Sequence, residues 1–440
     1  MKWLGAHKYD MKQIKNKSSF KIILWSIVIC LTLSFFIILA RENDCVKNKT
    51  NLNYLGPIQL LESYSSTYVS LDNNESYGSS RHKNLVVAHI SDTHGDSIAF
   101  FRFLNFVNNH QIIDFAIHTG DINNSYDDNP DWFIHSVCQS TKKCYMTIGN
   151  HDACSYINMD SIATDSVLTR FFKPVKKKLG KVNDFGAYAR DYKSNGGIIR
   201  FLFLNSSDYP KFYVSLLHES QFYSRRQLIW LVNELKNCAE DGKYAVICSH
   251  HSPETVDENS TPFYQKVHSH ANVDKLKVFI GDPIGDIVNA YKNGKKINQS
   301  YHYKTYGKRD YLNRLFPTMI SPQNKDDLYP IHVDADFTGL KGNFIAFING
   351  HQHGDFCGYS SHYSDQLILN VNSGCGDRFV DGDYERLFSD LPRSMDENDE
   401  TRDCYNVYVF DIQSHQVHVV RIGSHLTTDL SLRRTWSYKW

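Results

Sequence analysis

The sequence predicts an α/β fold class, because apolar strand patterns alternate with helical patterns along most of the chain. "NLVVAHI" is typical of a buried strand, "SIAFFRFLNFVNN" repeats its apolar residues at helical spacing, and "IIDFAIHTG" is typical of a second strand. The chain has 440 residues and is 41% hydrophobic, which is enough for a sizeable core in one large domain or two smaller ones.

The alternation continues towards the C-terminus. "KCYMTIGN" and "GIIRFLFLNSS" are strand patterns, "SRRQLIWLVNELKNC" is a strongly amphipathic helix, and "KYAVICSHH" and "NFIAFINGHQHGD" are further strands. "CYNVYVFDI" and "HQVHVVRIG" predict a run of strands that closes the domain. We expect this domain to extend over residues 84–425, with a long insertion at about 253–342 and a C-terminal tail at 426–440.

The N-terminal region predicts a membrane anchor. Residues 22–40 contain no charged side chain, and this length can cross the roughly 30 Å hydrocarbon core as a helix. Lysines precede this segment, whereas "RENDCVKNK" after it mixes both signs, so residues 1–21 are expected to form a cytoplasmic tail. The sequence thus predicts a single-pass type II membrane protein with an extracytoplasmic domain, or a secreted protein if the apolar segment is a cleaved signal peptide. Residues 41–83 are polar and predict a stalk or arm.

The charge of the chain bears on whether it binds nucleic acid, and its cysteines bear on whether it forms disulfides. The formal net charge is zero, so no basic field favours nucleic acid, and nucleic-acid binding is not expected. Ten cysteines are present, and a position outside the cytoplasm would permit disulfides. Cys138 and Cys144 are close enough in sequence to bridge a short loop, whereas Cys248, inside an apolar run, is expected to be a buried free thiol.

Polar side chains follow five of the predicted strands at the point where each strand ends. In open α/β sheets the carboxyl ends of the strands form the ligand-binding edge, so residues far apart in sequence would meet there. Imidazole, carboxylate and amide groups suit Zn, Fe, Mn or Ni, and these residues are too many for one ion. The residues at the strand ends are Asp92, His94, Asp121, Asn150, His250 or His251, His351 and His353.

The order of these motifs resembles the calcineurin-like metallophosphoesterases, a family that includes purple acid phosphatases and cyclic-nucleotide phosphodiesterases. The family signature appears here as "DTH", "GD", "GNHD", "SHH" and "GHQH", complete and in order. The resemblance implies a two-layer β-sandwich flanked by helices and two divalent metal ions that bind a phosphate ester. Its substrate would be hydrolysed by a metal-bound hydroxide.

The resemblance also implies a role for each residue. Asp121 would bridge the two ions. Asp92, His94 and His353 would complete the first metal site, and Asn150, His250 and His351 the second. One of His250 and His251 would ligate while the other faces the phosphate or packs behind the ligands, and the resemblance favours His250 as the ligand. Asp152 is expected to orient ligands. His151 is left over by this ligand set and is expected to protonate the leaving group as a general acid.

Two functional alternatives remain beside a phosphatase. One is a cyclic-nucleotide or other phosphodiesterase, and the other is a non-catalytic ectodomain that keeps its metals for stability and binds a partner. The insertion at 253–342 is unusually long for the family, and its position between two metal-bearing strands predicts that it lines the site and sets substrate choice.

Overall fold

The computed structural model describes residues 78–79, 84–155, 157, 160–208, 221–252, 278–280, 283–301, 303–305, 331–351, 356–360, 363, 365–371, 404–423 and 435–440. The predicted cytoplasmic tail, the membrane span at 22–40 and most of the stalk therefore lie outside the described residues, as does His353. Within the described residues, no helix is long and apolar enough to span a membrane.

The described residues form the following strands and helices. The strands are β1 (Gly78–Ser79), β2 (Leu85–Ile90), β3 (Phe115–His118), β4 (Lys143–Met146), β5 (Cys154–Ser155), β6 (Asp160–Ser161), β7 (Tyr188–Ser194), β8 (Gly197–Phe203), β9 (Tyr244–Cys248), β10 (Val278–Ile280), β11 (Lys296–Tyr301), β12 (Tyr303–Thr305), β13 (Ile331–Asp336), β14 (Asn343–Asn349), β15 (Phe356–Tyr359), β16 (Leu367–Asn370), β17 (Cys404–Asp411), β18 (Gln416–Gly423) and β19 (Thr435–Lys439). The α-helices are α1 (Ser97–Asn109), α2 (Asp131–Gln139), α3 (Thr164–Val167), α4 (Lys176–Leu179), α5 (Arg225–Glu240) and α6 (Pro283–Asn293), and a π-helical turn covers Leu168–Phe172.

Two large sheets contain most of these strands. One sheet has the order β19-β18-β17-β2-β3-β4, with β2, β3 and β4 parallel and α1 and α2 in the connections between them. The other has the order β1-β7-β8-β9-β14-β16-β15, with β8, β9, β14 and β16 parallel. Parallel neighbours need such crossover connections, and they place the carboxyl ends of successive strands at one edge. The mixed α/β class predicted from the sequence is confirmed.

Aromatic side chains from the two sheets meet in the core. The Phe115 ring on β3 stacks on Tyr192 of β7 with ring centroids 4.2 Å apart, and it meets Phe201 of β8 edge-on at 5.1 Å. Phe201 also contacts Phe410 of β17 at 5.7 Å. All six residues of β2 are buried, as its mostly apolar sequence predicts for a strand covered on both faces. The two sheets therefore pack face to face around an aromatic core.

The two helices that the sequence predicts, α1 and α5, are present. Helix α1 covers the predicted "SIAFFRFLNFVNN", and the Asp96 side chain caps it by accepting a hydrogen bond from the Ala99 N–H at 3.0 Å. Helix α5 begins after Ser224, whose hydroxyl accepts from the Gln227 N–H. It buries the apolar face that the sequence pattern predicted.

The described part of the insertion packs against helix α5. Strands β11 and β13 form an antiparallel pair, and both β13 and α6 contact α5. Residues 253–277 and 306–330 of the insertion lie outside the described part of the chain, and the prediction that the insertion at 253–342 lines the site stays a prediction. Beyond residue 425, strand β19 pairs with β18 and extends the six-stranded sheet.

The predicted Cys138–Cys144 disulfide is wrong. Cys138 is an exposed free thiol on α2, whereas Cys144 is a free thiol buried in β4. The six-residue spacing suggested a short loop, but the helix and the strand place the two side chains in different environments. Cys248 is a buried free thiol as predicted, and burial holds its pKa well above the usual value.

Candidate metal centre

The strand ends bring the predicted ligands together. Asp92 and His94 follow β2, Asp121 follows β3, His250 follows β9 and His351 follows β14. The backbone N–H of Asp92 donates to the Gly120 carbonyl, and that of His94 donates to the Asp121 carbonyl, each at 3.0 Å. The loops after β2 and β3 are thus joined by hydrogen bonds, and both lie at the edge the sequence predicted.

Backbone strain concentrates at these loops. Five described residues other than glycine have a positive φ, and four of them are predicted ligands: Asp92, His94, Asp121 and His351. Left-handed backbone costs an L-residue about 1–2 kcal/mol, so it persists only where surrounding contacts impose it. This clustering supports a functional role for the four residues.

Glycine lets the loops after β3 and β4 touch. Gly120 has a φ of +96°, and a Cβ there would lie 2.5 Å from the Gly149 nitrogen and 2.9 Å from Nδ1 of His250. The clash is with backbone, which cannot rotate away as a flexible side chain can. A Cβ added at Gly149 would clash more closely still with Asp121, and one added at Gly350 with the Ser91 side chain.

We expect Gly120→Ala to lower the free energy of unfolding by about 3 kcal/mol or more, because it combines left-handed strain with overpacking. Gly242→Ala is the matched control: Gly242 also has a positive φ, +64°, but a Cβ added there would meet nothing within 4 Å. The control should lose only about 1–2 kcal/mol. Urea unfolding of both variants measures the difference, and equal losses would show that the close approach is unimportant.

Asp121 lies at the centre of the site. Its Oδ1 accepts the His151 N–H at 2.9 Å. Its Oδ2 is buried and accepts no regular hydrogen bond from the described residues, yet it lies 3.2, 3.7 and 3.9 Å from Nε2 of His250, His94 and His151. A buried carboxylate oxygen surrounded by imidazole nitrogens is a ligand set that suits a divalent transition metal.

Two groups of side chains could each hold a metal ion, and Asp121 belongs to both. The first group is His94, Asp121 and His151, and the second is Asp121, His250 and His351; within each group the ligand atoms lie within 4.8 Å of one another. Asp121 is therefore common to both groups, and its bridging role stays a prediction. His151, which the sequence assigned to proton transfer, lies in the first group.

Asn150 lies beside the second group. Its Oδ1 is 2.9 Å from Nε2 of His250 and 3.0 Å from Nδ1 of His351. An amide oxygen that faces two imidazole nitrogens is suited to share a cation with them. Asp92 is placed differently: both of its carboxylate oxygens accept the His351 N–H at 3.0 Å, and it is not in either group.

His250 is oriented by the end of β3. Its Nδ1 is 2.8 Å from the Thr119 carbonyl oxygen, and a carbonyl only accepts, so Nδ1 carries the ring hydrogen and Nε2 keeps its lone pair when the ring is neutral. Burial lowers the pKa of His250, but the nearby Asp121 carboxylate outweighs this effect and raises it to about 9. Conversely, burial raises the pKa of Asp121, and the imidazoles of His250, His151 and His94 outweigh that, leaving its pKa well below the usual range.

Asp152 organises the loops without joining either group. Its Oδ1 accepts the N–H groups of Ile122 and Asn123 at 3.0 and 3.1 Å, and its Oδ2 accepts that of Gly149 at 3.0 Å. Burial and the negative charge of Asp121 raise the pKa of Asp152 to about 7, despite these three hydrogen bonds. These hydrogen bonds join the loops after β3 and β4, and the orienting role of Asp152 stays a prediction.

Two other histidines, His89 and His118, are buried next to the loops that carry the ligands. His89 lies between the Tyr408 hydroxyl and the Thr119 hydroxyl, each 2.8 Å away, and burial holds its pKa well below the usual value. His118 bonds the Thr93 hydroxyl at 3.0 Å and accepts the Gly120 N–H, and burial lowers its pKa to about 3. Both are neutral core residues.

Three contacts could not be predicted from the sequence. The Asn124 carbonyl oxygen is 2.7 Å from Nδ1 of His151. The Ser206 hydroxyl is 2.8 Å from Nδ1 of His251, and the Asn349 amide donates to the His251 carbonyl at 3.0 Å. A backbone carbonyl has no sequence signature, and Ser206 follows β8 in "LNSS", which contains none of the recognised motifs.

Comparison with solved structures finds distant likenesses. A dimetal phosphatase from Danio rerio is 11% identical, with a TM-score of 0.41, over 81% of this chain and 99% of that chain. A protein from Streptococcus pneumoniae described as a predicted phosphoesterase is 10% identical, with a TM-score of 0.26, over 81% and 98%. A phosphopantetheinyl hydrolase from Mycobacterium tuberculosis is 11% identical, with a TM-score of 0.28, over 68% and 93%. No curated protein matches this chain in sequence.

The sequence match to a family is more informative. Residues 85–281 match the family model of the calcineurin-like phosphoesterases, a range that begins at β2 and contains Asp92, His94, Asp121, Asn150 and His250. The matched segment thus contributes side chains to both candidate ligand groups. Over residues 85–281 the chain is therefore similar to the calcineurin-like phosphoesterases.

Proposed function

We propose that this protein hydrolyses phosphate esters at a centre of two divalent metal ions. The observation that carries the proposal is Asp121, a buried carboxylate that belongs to both candidate ligand groups. A shared carboxylate is the feature that holds two ions at the separation of about 3.5–4 Å that a two-metal phosphoesterase requires. Asn150 adds an oxygen ligand without adding negative charge.

The described residues fit such a pair of ions. His250, His351, Asn150 and Asp121 would hold one ion, and His94, with Asp121, would contribute to the other. His353 remains a proposed ligand of this second ion, and Asp92 another. Bound divalent ions would supply a nucleophile at neutral pH and neutralise charge on the phosphoryl oxygens.

The protein's own residues prepare this chemistry. The Thr119 carbonyl fixes the His250 ring so that Nε2 offers a lone pair towards Asp121 and Asn150. His151 is held at Nδ1 by the Asn124 carbonyl, and its side chain is 15% exposed, whereas those of His94 and Asp121 are 1% and 0% exposed. His151 is therefore the member of its group that can reach a substrate, and we propose that it protonates the leaving group.

A turnover screen with metal analysis tests the proposed function. The purified protein, stripped by chelation and reloaded with Zn, Mn, Fe or Ni, would be assayed on phosphate monoesters, diesters, cyclic nucleotides and phospholipids. We expect metal-dependent release of phosphate or of the ester product, with two ions bound at saturation. A preference for diesters or cyclic nucleotides would identify a phosphodiesterase rather than a phosphatase, and a protein that binds no metal and hydrolyses none of these esters would refute the proposal.

We also propose that the catalytic domain lies outside the cytoplasm, anchored by residues 22–40. The charge-free segment and the lysines before it support this orientation. Protease added to sealed vesicles with the cytoplasmic face outward should spare residues after 41 and cleave them only once the membrane is opened. Cleavage of those residues in sealed vesicles would contradict the proposed orientation.

A further inference from the structure

The two adjacent histidines after β9 have different hydrogen-bond partners. Nδ1 of His250 faces the Thr119 carbonyl oxygen, so its neutral ring keeps the hydrogen on Nδ1 and presents Nε2 as a ligand. Nδ1 of His251 instead faces a hydroxyl, Ser206 Oγ, at 2.8 Å. A hydroxyl can donate or accept, so the tautomer of His251 depends on the other bonds of Ser206.

The other hydrogen bond of Ser206 determines which atom donates in the contact between Ser206 Oγ and His251 Nδ1. Ser206 Oγ also accepts the backbone N–H of His251 at 3.1 Å, and Ser206 is fully buried. Among the described residues, Nδ1 of His251 is the acceptor that the Ser206 hydroxyl hydrogen can reach. A buried hydroxyl hydrogen without an acceptor costs about 1–3 kcal/mol, so the favoured arrangement has Ser206 donating to Nδ1. The neutral His251 ring then carries its hydrogen on Nε2.

His251 is also fixed beside the second ligand group. Its ring centroid lies 4.0 Å from that of His351 and 5.1 Å from that of His250. Its carbonyl accepts hydrogen bonds from the Ser249 hydroxyl at 2.8 Å and from the Asn349 amide at 3.0 Å. His251 is 4% exposed, and it is held at its N–H, its carbonyl and its ring.

We infer that His251 is a substrate-binding residue whose Nε2–H donates a hydrogen bond to a phosphoryl oxygen, and that Ser206 is a positioning residue that holds it in this tautomer. The inference rests on the proposed function, since it names how the same site holds its substrate. A neutral ring with hydrogen on Nε2 and with Nδ1 bonded to Ser206 has no lone pair left for a metal. His251 would therefore complement His250: one histidine ligates an ion and its neighbour orients the phosphate.

Histidine tautomers can be measured directly. In protein labelled with ¹⁵N at histidine and loaded with zinc, long-range ¹H–¹⁵N spectra distinguish a ring that carries its hydrogen on Nε2 from one that carries it on Nδ1. His251 is expected to show the Nε2–H pattern, with its signals identified by their loss in His251→Asn. Ser206→Ala should shift this pattern towards a mixture of tautomers. The Nδ1–H pattern in the wild type would overturn the inference.

Ser207→Ala is the matched control for Ser206→Ala. Ser207 is the next residue, it is 1% exposed, and its hydroxyl has no hydrogen-bond partner among the described residues. Its removal should leave the His251 spectrum unchanged. If both alanine variants change the spectrum alike, or neither changes it, Ser206 does not position His251.

Phosphate binding tests the contact with substrate. Calorimetric titration of inorganic phosphate into the zinc-loaded protein should show a Kd about 10- to 100-fold weaker for His251→Asn, as expected for one hydrogen bond to a charged group. The Asn amide can still reach Ser206 but not the position of Nε2. His251→Gln extends an amide to that position and should recover most of the affinity. Both variants should keep two zinc ions.

The outcomes separate this inference from the proposed function. Loss of zinc in His251→Asn would make His251 a metal ligand, and unchanged phosphate affinity with both ions retained would make it a purely structural residue; either result overturns the inference. Failure of the proposed function appears instead in the wild type, as a protein that binds no zinc and hydrolyses no ester, and it would overturn both.

Discussion

Asp121→Asn is expected to weaken binding of both metal ions by more than about 100-fold and to abolish ester hydrolysis at ordinary metal concentrations. Removing a group that only orients a ligand already costs about 10- to 100-fold in metal affinity, and Asp121 is itself shared by both ligand groups. Asn has the same shape but one oxygen and no charge. Its amide N–H₂ would face the imidazole nitrogens that now surround Oδ2 at 3.2 to 3.9 Å.

Metal analysis after gel filtration, and turnover measured over a range of added metal, test this expectation. Asp96→Asn is the matched control, because Asp96 is an acid in the same region that caps α1, and Asn caps a helix as well as Asp does. The control should keep two ions and full turnover. If Asp121→Asn also keeps both ions, Asp121 does not bridge them.

Much of this site could be predicted from the sequence, because each ligand follows an apolar strand directly. Asp92 comes two residues after β2 and Asp121 three residues after β3, so finding the strands also locates the ligands. The shared edge then follows from the parallel connections. Chemistry that depends on the type of side chain at strand ends can therefore be predicted from the sequence.

The strands that the sequence analysis did not predict are either polar or short. Strand β13 alternates buried and exposed residues over "IHVDAD", and its partner β11 exposes four of six, so neither has the apolar run that identifies a core strand. β15 and β16 have only four residues each. Their pairing is decided by the neighbouring strands and not by their own sequence.

The backbone conformation and hydrogen bonds of the site depend on tertiary contacts that cannot be predicted from the sequence. The left-handed backbone at Asp92, His94 and His351 is imposed by tertiary contacts, since none of these positions is glycine. The contact between Ser206 and His251 joins residues 45 apart along the chain. Such contacts give the two adjacent histidines different surroundings, a difference that motif spacing does not show.

His151 has two possible roles that differ in measurable ways. It belongs to a group with His94 and Asp121 that could hold an ion, and its ring meets that of His94 edge-on at 4.7 Å. Yet its side chain is the most exposed of the three, and the Asn124 carbonyl fixes Nδ1 as a donor, so Nε2 is the nitrogen available to the substrate. As a general acid, a ring protonated at Nε2 would transfer that proton to the departing oxygen, which otherwise leaves as an alkoxide.

His151→Ala should therefore keep two metal ions and lower turnover of alkyl phosphates by about 10²- to 10⁴-fold, the usual contribution of a general acid. Turnover of nitrophenyl phosphates should fall far less, because nitrophenolate is a stable leaving group that needs no proton. His94→Ala, in the same group, is the comparison: it should lose metal and lose activity on both kinds of ester alike. If His151→Ala behaves like His94→Ala, His151 is a metal ligand and the general acid must be another residue, because a ligand's removal cannot discriminate between leaving groups.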